Sequence, residues 1–143
     1  MTFLLDANVL IALGDSDHVH HARVQAWFHS ERGRAWATCP LTENAFLRIV
    51  GAASYPSSIG EPGVVRTVME QMCAFPGHQF WEDSLSLREV AVFPTLPSSK
   101  HLTDIYLLAL AVARGGRLAT LDRRIDPATI PGGEQAYFLI PSG

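Results

Sequence analysis

Lysine, cysteine and long apolar runs are all scarce in this chain of 143 residues, and each shortage removes a class of function. Of the eleven basic residues only Lys100 is lysine, so aspartyl-phosphate chemistry, which needs a well-placed lysine beside its nucleophilic acid, is poorly served. The arginine excess suits bidentate phosphate recognition, although a GC-biased genome would produce the same bias. The two cysteines, Cys39 and Cys73, stand in no Cys-x-x-Cys or Cys/His spacing. They are expected to be reduced, mostly buried thiols rather than a disulfide or a zinc knuckle. No apolar run approaches the roughly 20 residues that cross a bilayer, so no membrane partner is expected. Met1 to Leu5 has no basic flank and is cut short by Asp6, so it does not read as a signal peptide, and a cytoplasmic location is expected. Repeats and low-complexity segments are absent. The net charge of −3 carries no basic surplus for nucleic acid. A cluster of catalytic carboxylates neutralised locally by metal would give the same total, so charge does not decide the point.

What is present is an ordinary globular composition at the size of one domain, expected to span 1–143. Phe3-Leu4-Leu5 reads as a buried strand, and Asn8 to Leu13 as a helix for which Asn8 is either the N-cap or a neighbour orienting Asp6. A second helix runs to about Ser30 and stops at Gly33; Arg34 to Thr38 reads as a strand, with Pro40 in the turn after it. Thr42 is expected to cap a helix that ends at Gly51. Ser54 to Gly63 reads as a surface loop whose length hints at a substrate-facing role. A helix from Val64 to Phe75, a strand over His78 to Trp81 and a short helix from Ser84 to about Val90 follow. Thr103 is expected to cap a helix reaching Arg114, apolar nearly all round and hence deeply buried or at a dimer contact. Arg117 to Leu121 and Tyr137 to Ile140 complete the strands. Strands alternating with helices at this pitch predict an α/β three-layer sandwich, its central sheet mostly parallel and flanked by helices.

Four acids stand out against this pattern. Asp6 and Asp122 each follow a strand, while Glu43 and Asp104 fall in first helical turns, so all four can project to the sheet edge where ligands bind in such folds. Any one alone reads equally as a turn or cap residue. Together they would repel one another and raise each other's pKa values unless cations intervened, and an oxygen-rich set suits Mg²⁺ or Mn²⁺. Such ions supply activated water and Lewis acidity for phosphodiester hydrolysis without a histidine base. Asn8 and Thr120 are candidates for supporting the acids, beside plainer cap and strand roles. Arg123 and Arg124, directly after Asp122, either hold phosphate or form a solvated turn. His18, His20 and His21 lack a metal-ligand spacing and are expected on an exposed polar face. His101, one turn before Asp104, is open to substrate contact. Tyr55 and Trp81 offer rings for base stacking or for packing.

Leu4-Leu5-Asp6-Ala7-Asn8-Val9-Leu10-Ile11, Thr42-Glu43-Asn44-Ala45-Phe46-Leu47-Arg48, Leu102-Thr103-Asp104 and Leu118-Ala119-Thr120-Leu121-Asp122, in this order, resemble the PIN domain, in particular the VapC-like toxins of bacterial toxin–antitoxin pairs. The resemblance implies that Asp6, Glu43, Asp104 and Asp122 form an acidic quartet binding Mg²⁺ or Mn²⁺, with Thr120 at the hydroxyl position preceding the last acid. It further implies an endoribonuclease acting on RNA, a homodimer, and a cognate antitoxin that places an arginine among the acids. Two other readings compete. A catalytically silent PIN module would bind RNA or a protein partner through the same rim. A phosphotransfer domain would use Asp6 as nucleophile, but Asp-Ala-Asn lacks the second acid such a site needs.

Overall fold

The computed structural model describes residues 1–30 and 35–142. Five short strands, β1 (Phe3–Leu5), β2 (Trp36–Thr38), β3 (His78–Phe80), β4 (Arg117–Thr120) and β5 (Tyr137–Leu139), pair in parallel in the order β3-β2-β1-β4-β5. The central register sets Leu4 opposite Ala37 on one side and Leu118 on the other. Strand side chains alternate between faces, and the core divides accordingly. Leu4, Ala37 and Leu118 pack on one face with α5 (Leu102–Ala113) and Ala136 of α6 (Gly133–Ala136). Phe3, Leu5, Trp36 and Ala119 pack on the other with α1 (Ala7–Gly14), α2 (His21–Ser30), α3 (Pro40–Val50) and α4 (Pro62–Cys73). This is the expected three-layer sandwich, and the sheet is parallel throughout.

The chain leaves β1 toward β2 and β3 and later returns to the other side of β1 as β4 and β5. The direction of winding reverses between β1 and β4, which opens a crevice at their carboxyl ends. Asp6 and Asp122 stand at that crevice. Helix α5 packs beneath it with all residues from Ile105 to Ala111 buried, so its apolar surface serves the core. Gly115 ends α5 at φ +67°, and Gly116 donates back to the Ala111 carbonyl at 2.9 Å. A Cβ on Gly116 would lie 2.4 Å from the Thr2 carbonyl oxygen, so only glycine lets the chain turn this closely into β4.

Several local expectations are corrected. Asp6, not Asn8, caps α1: its Oδ1 accepts from Ala7 N–H at 2.7 Å and Asn8 lies inside the helix. Helix α3 starts at Pro40, whose missing N–H is harmless in a first turn, and Cys39 is its cap residue. Thr42 sits one turn in and accepts from Cys39 N–H at 3.0 Å, the reciprocal half of a capping box. Helix α5 is entered through a 3₁₀ turn, Ser99–His101, which puts His101 rather than Thr103 at its N-cap. Ser84 to Val90 is no helix but a run of turns, because Leu85 N–H and carbonyl are both taken by the Tyr106 hydroxyl, at 3.2 and 3.1 Å. The 3₁₀ turn Pro127–Thr129 and α6 were not anticipated. Gly33 and Arg34, expected at the end of α2 and the start of β2, lie outside the described residues.

Candidate active site

Asp6 is fixed by its place between two elements. Its backbone N–H extends the β1–β4 ladder to the Ala119 carbonyl at 3.0 Å, and its carboxylate caps α1 through Oδ1. The other oxygen, Oδ2, accepts from the Thr120 hydroxyl at 2.7 Å. Thr120 is fully buried, and its Oγ1 also accepts from Asp122 N–H at 3.0 Å. One hydroxyl thus ties the acid after β1 to the turn after β4. Asn8 supports the same link: its Oδ1 accepts from Leu121 N–H at 3.2 Å and its amide reaches Thr120 Oγ1 at 3.4 Å. Asn8 and Thr120 thus both hydrogen-bond into the link between Asp6 and the turn after β4.

Asp6 is 5 % exposed, and its carboxyl is pushed up to about 6 by burial first, with Asp104 and Asp122 adding repulsion against the Thr120 and Ala7 hydrogen bonds. Asp104, in the first turn of α5, is also raised, by burial and then by Asp122. Three aspartates from β1, α5 and the turn after β4 therefore share one electrostatic neighbourhood. Asp122 goes the other way. Burial would raise it, but Arg124 holds it down through its backbone N–H at 2.8 Å, its Nε at 3.1 Å and its Nη2 at 3.3 Å. Arg124 is thus occupied by Asp122, while Arg123 is exposed to solvent beside it.

His101 joins this group. One ligand atom each from His101, Asp104 and Asp122 falls within 4.8 Å of the others. The His101 Nδ1 is buried and lies 3.7 Å from Asp104 Oδ2, long for a hydrogen bond but close enough to hold that carboxyl down against burial and Asp122. A buried ring nitrogen with only this long contact is poorly satisfied, and three mutually repelling carboxylates are unfavourable as well. Both penalties are removed by a divalent cation, so the residues present fit such an ion, with oxygen donors supplemented by one imidazole. The sequence offered His101 only as a substrate contact, since nothing local reveals that its ring turns toward Asp104.

Glu43 rises from the first turn of α3, and its contacts run toward β3. Its Oε2 accepts from the buried Thr38 hydroxyl at 2.7 Å, and the same hydroxyl lies 2.8 Å from His78 Nε2. The ligand atoms of Glu43, Cys73 and His78 fall within 4.8 Å of one another. The remaining candidates take plainer roles. His18, His20 and His21 are half-buried rather than on an exposed face: His18 Nδ1 accepts from His20 N–H at 3.0 Å and His21 Nδ1 lies 2.8 Å from the Ala12 carbonyl. Trp81 is buried under the Arg114 guanidinium, 5.7 Å from the ring centroid, and Tyr55 packs partly buried against the core with its hydroxyl bonded to Asp15 at 2.5 Å, so both rings serve packing.

The profile of the PIN domain matches residues 3–129. Ribonuclease VapC44 of Mycobacterium tuberculosis is 39 % identical over 140 residues, covering 96 % of this chain and 98 % of that protein. Ribonuclease VapC38 of the same organism is 42 % identical over 120 residues, 83 % of this chain and 84 % of the relative. Among solved structures, the VapBC2 complex of Rickettsia felis bound to a DNA fragment from its promoter superimposes with a TM-score of 0.62 at 12 % identity, covering 97 % of both chains. Mycobacterium tuberculosis VapC20, a toxin that cleaves the sarcin–ricin loop, superimposes with a TM-score of 0.60 at 12 % identity, over 90 % of this chain and 96 % of that one.

Proposed function

We propose that this chain, which belongs to the PIN-domain family among its VapC-type members, is a divalent-metal-dependent endoribonuclease and the toxin of a toxin–antitoxin pair. The observation that carries the reading is the mutually repelling set of Asp6, Asp104 and Asp122, with the buried His101 Nδ1 3.7 Å from Asp104 Oδ2. Glu43 is assigned as the fourth acid from its position in the first turn of α3, at the carboxyl edge of the sheet. A bound Mg²⁺ or Mn²⁺ would supply Lewis acidity toward the phosphate and an acidified water for the attack.

The chain's own residues do the rest. Asp6 presents a carboxylate whose two oxygens are oriented by Ala7 N–H and Thr120, so it needs no reorganisation to receive a cation. Asn8 and Thr120 keep the turn after β4 in register with Asp6, which fixes where Asp122 stands. Arg124 forks onto Asp122, and its long exposed side chain would also reach a phosphate oxygen if that carboxylate held a cation. The same fork-on-carboxylate contact is what an antitoxin arginine would make, so Arg124 is a rehearsal within the chain of how a protein partner would silence the site. RNA as substrate, a homodimer and a cognate antitoxin belong to this reading.

Chelator-treated, antitoxin-free protein incubated with total RNA, with and without Mg²⁺ or Mn²⁺, is expected to create new 5′ ends only with metal and not in Asp104→Asn. Binding of RNA without turnover in either metal would assign the silent-module reading instead. Light scattering of the purified protein tests the dimer.

A further inference from the structure

The geometry points to a second metal site in this chain, one for a thiophilic divalent ion of the Zn²⁺ or Co²⁺ type, formed by the Glu43 carboxylate, the Cys73 thiolate and the His78 imidazole. The three come from different elements: the first turn of α3, the last residue of α4 and the first residue of β3. Their ligand atoms already lie within 4.8 Å of one another. Tetrahedral sites of this kind, with metal–ligand distances near 2.0–2.3 Å, need ligand separations of about 3.5 Å, so rotamer adjustments of about 1 Å close the set. One sulfur, one nitrogen and one oxygen make a softer set than the aspartate group, and ligand softness sorts zinc-like ions from magnesium.

Two features make the trio more than a chance cluster. The Thr38 hydroxyl, fully buried, donates to Glu43 Oε2 at 2.7 Å and therefore accepts from His78 Nε2–H at 2.8 Å, so one outer group holds both side chains and Nδ1 is the imidazole nitrogen left for a metal. Trp36 packs on the His78 ring with centroids 4.7 Å apart, which fixes the imidazole from its other side. Burial and Glu43 raise the Cys73 thiol, so metal binding at its sulfur would release a proton to solvent. Cys39 offers no competing thiol, since it is wholly buried and pushed up to about 11.

Glu43 is common to this trio and to the proposed nuclease site. A thiophilic ion bound here would withdraw Glu43 from catalysis and act as a brake; this consequence rests on the nuclease reading, whereas the binding does not.

The test is a Co²⁺ titration of the chelator-treated protein followed by absorption. One equivalent is expected to give a near-ultraviolet thiolate-to-cobalt band, retained in Asp104→Asn and lost in Cys73→Ser and in His78→Gln, with Zn²⁺ displacing the band in the parent protein. Absence of the band, or its persistence at full intensity in Cys73→Ser, overturns the proposal whether or not the protein cleaves RNA. For the brake, Zn²⁺ is expected to lower Mg²⁺-driven cleavage at least several-fold in the parent protein and much less in Cys73→Ser; equal inhibition of both would remove the brake.

Discussion

Replacing Asp6 by asparagine should stabilise the metal-free protein at alkaline pH, although it removes a residue central to the site. The folded state raises this carboxyl from 3.8 to about 6, which corresponds to about 3 kcal/mol against the ionised form. The sign follows from proton linkage. Between these two values the folded protein binds more protons at Asp6 than the unfolded chain, so stability falls as pH rises, and the penalty is complete above the folded pKa. About half of it is present at pH 5 and nearly all at pH 8. Asparagine carries no such penalty, but only one of its two groups is an acceptor. It can still receive Ala7 N–H, whereas the Thr120 proton now given to Oδ2 loses its acceptor, a mismatch of about 1–2 kcal/mol. The net expectation for Asp6→Asn in chelator is near-neutral stability at pH 5 and a gain of about 1–2 kcal/mol at pH 8, or about 3–6 °C in Tm for a domain of this size. Urea unfolding by circular dichroism at both pH values measures the difference. A stability gap independent of pH, or a variant that weakens further at pH 8, would refute the reasoning. On the proposed function, adding Mg²⁺ should reverse the order at pH 8, because only the parent protein would gain a cation at the buried carboxylate.

Other substitutions probe separate links. Thr120→Val removes the hydroxyl that serves Asp6, Asp122 N–H and Asn8 together and should cost about 1–3 kcal/mol in urea unfolding while leaving a buried carboxylate with one donor fewer. A stable variant would mean that water replaces the hydroxyl. Arg124→Ala frees Asp122 and should tighten Mg²⁺ binding a few-fold by calorimetry, whereas unchanged affinity would show that the guanidinium does not compete. Gly116→Ala drives a Cβ against the Thr2 carbonyl and should lower stability by about 1–3 kcal/mol, read as a drop in Tm.

Much of the architecture was legible because its causes are local. Phe3-Leu4-Leu5 and Leu118-Ala119 are continuous apolar runs, which suit strands buried on both faces, and an acid marks each carboxyl end, Asp6 directly after the first run and Asp122 beyond Thr120 and Leu121 after the second. Cap residues were less legible. Thr42 and Thr103 are good caps by type, yet Pro40 and the 3₁₀ turn at Ser99 begin their helices earlier, since a first turn accepts proline and a 3₁₀ lead-in as readily as a hydroxyl. Ser84 to Val90 has helical spacing but is held open by Tyr106, a residue 21 positions away.

From the chain alone came the parallel sandwich, the four candidate acids and the likeness to PIN domains, because apolar periodicity and the order of short motifs are properties of neighbouring residues. Only the folded chain decided that Asp122 is taken by Arg124, that His101 turns its buried Nδ1 toward Asp104, and that Glu43 stands beside Cys73 and His78. These depend on winding that reverses between β1 and β4 and on Thr38 pairing with Phe80 across β2 and β3. Contacts between side chains so distant in sequence are selected by packing of the whole molecule, and no window of sequence contains that information.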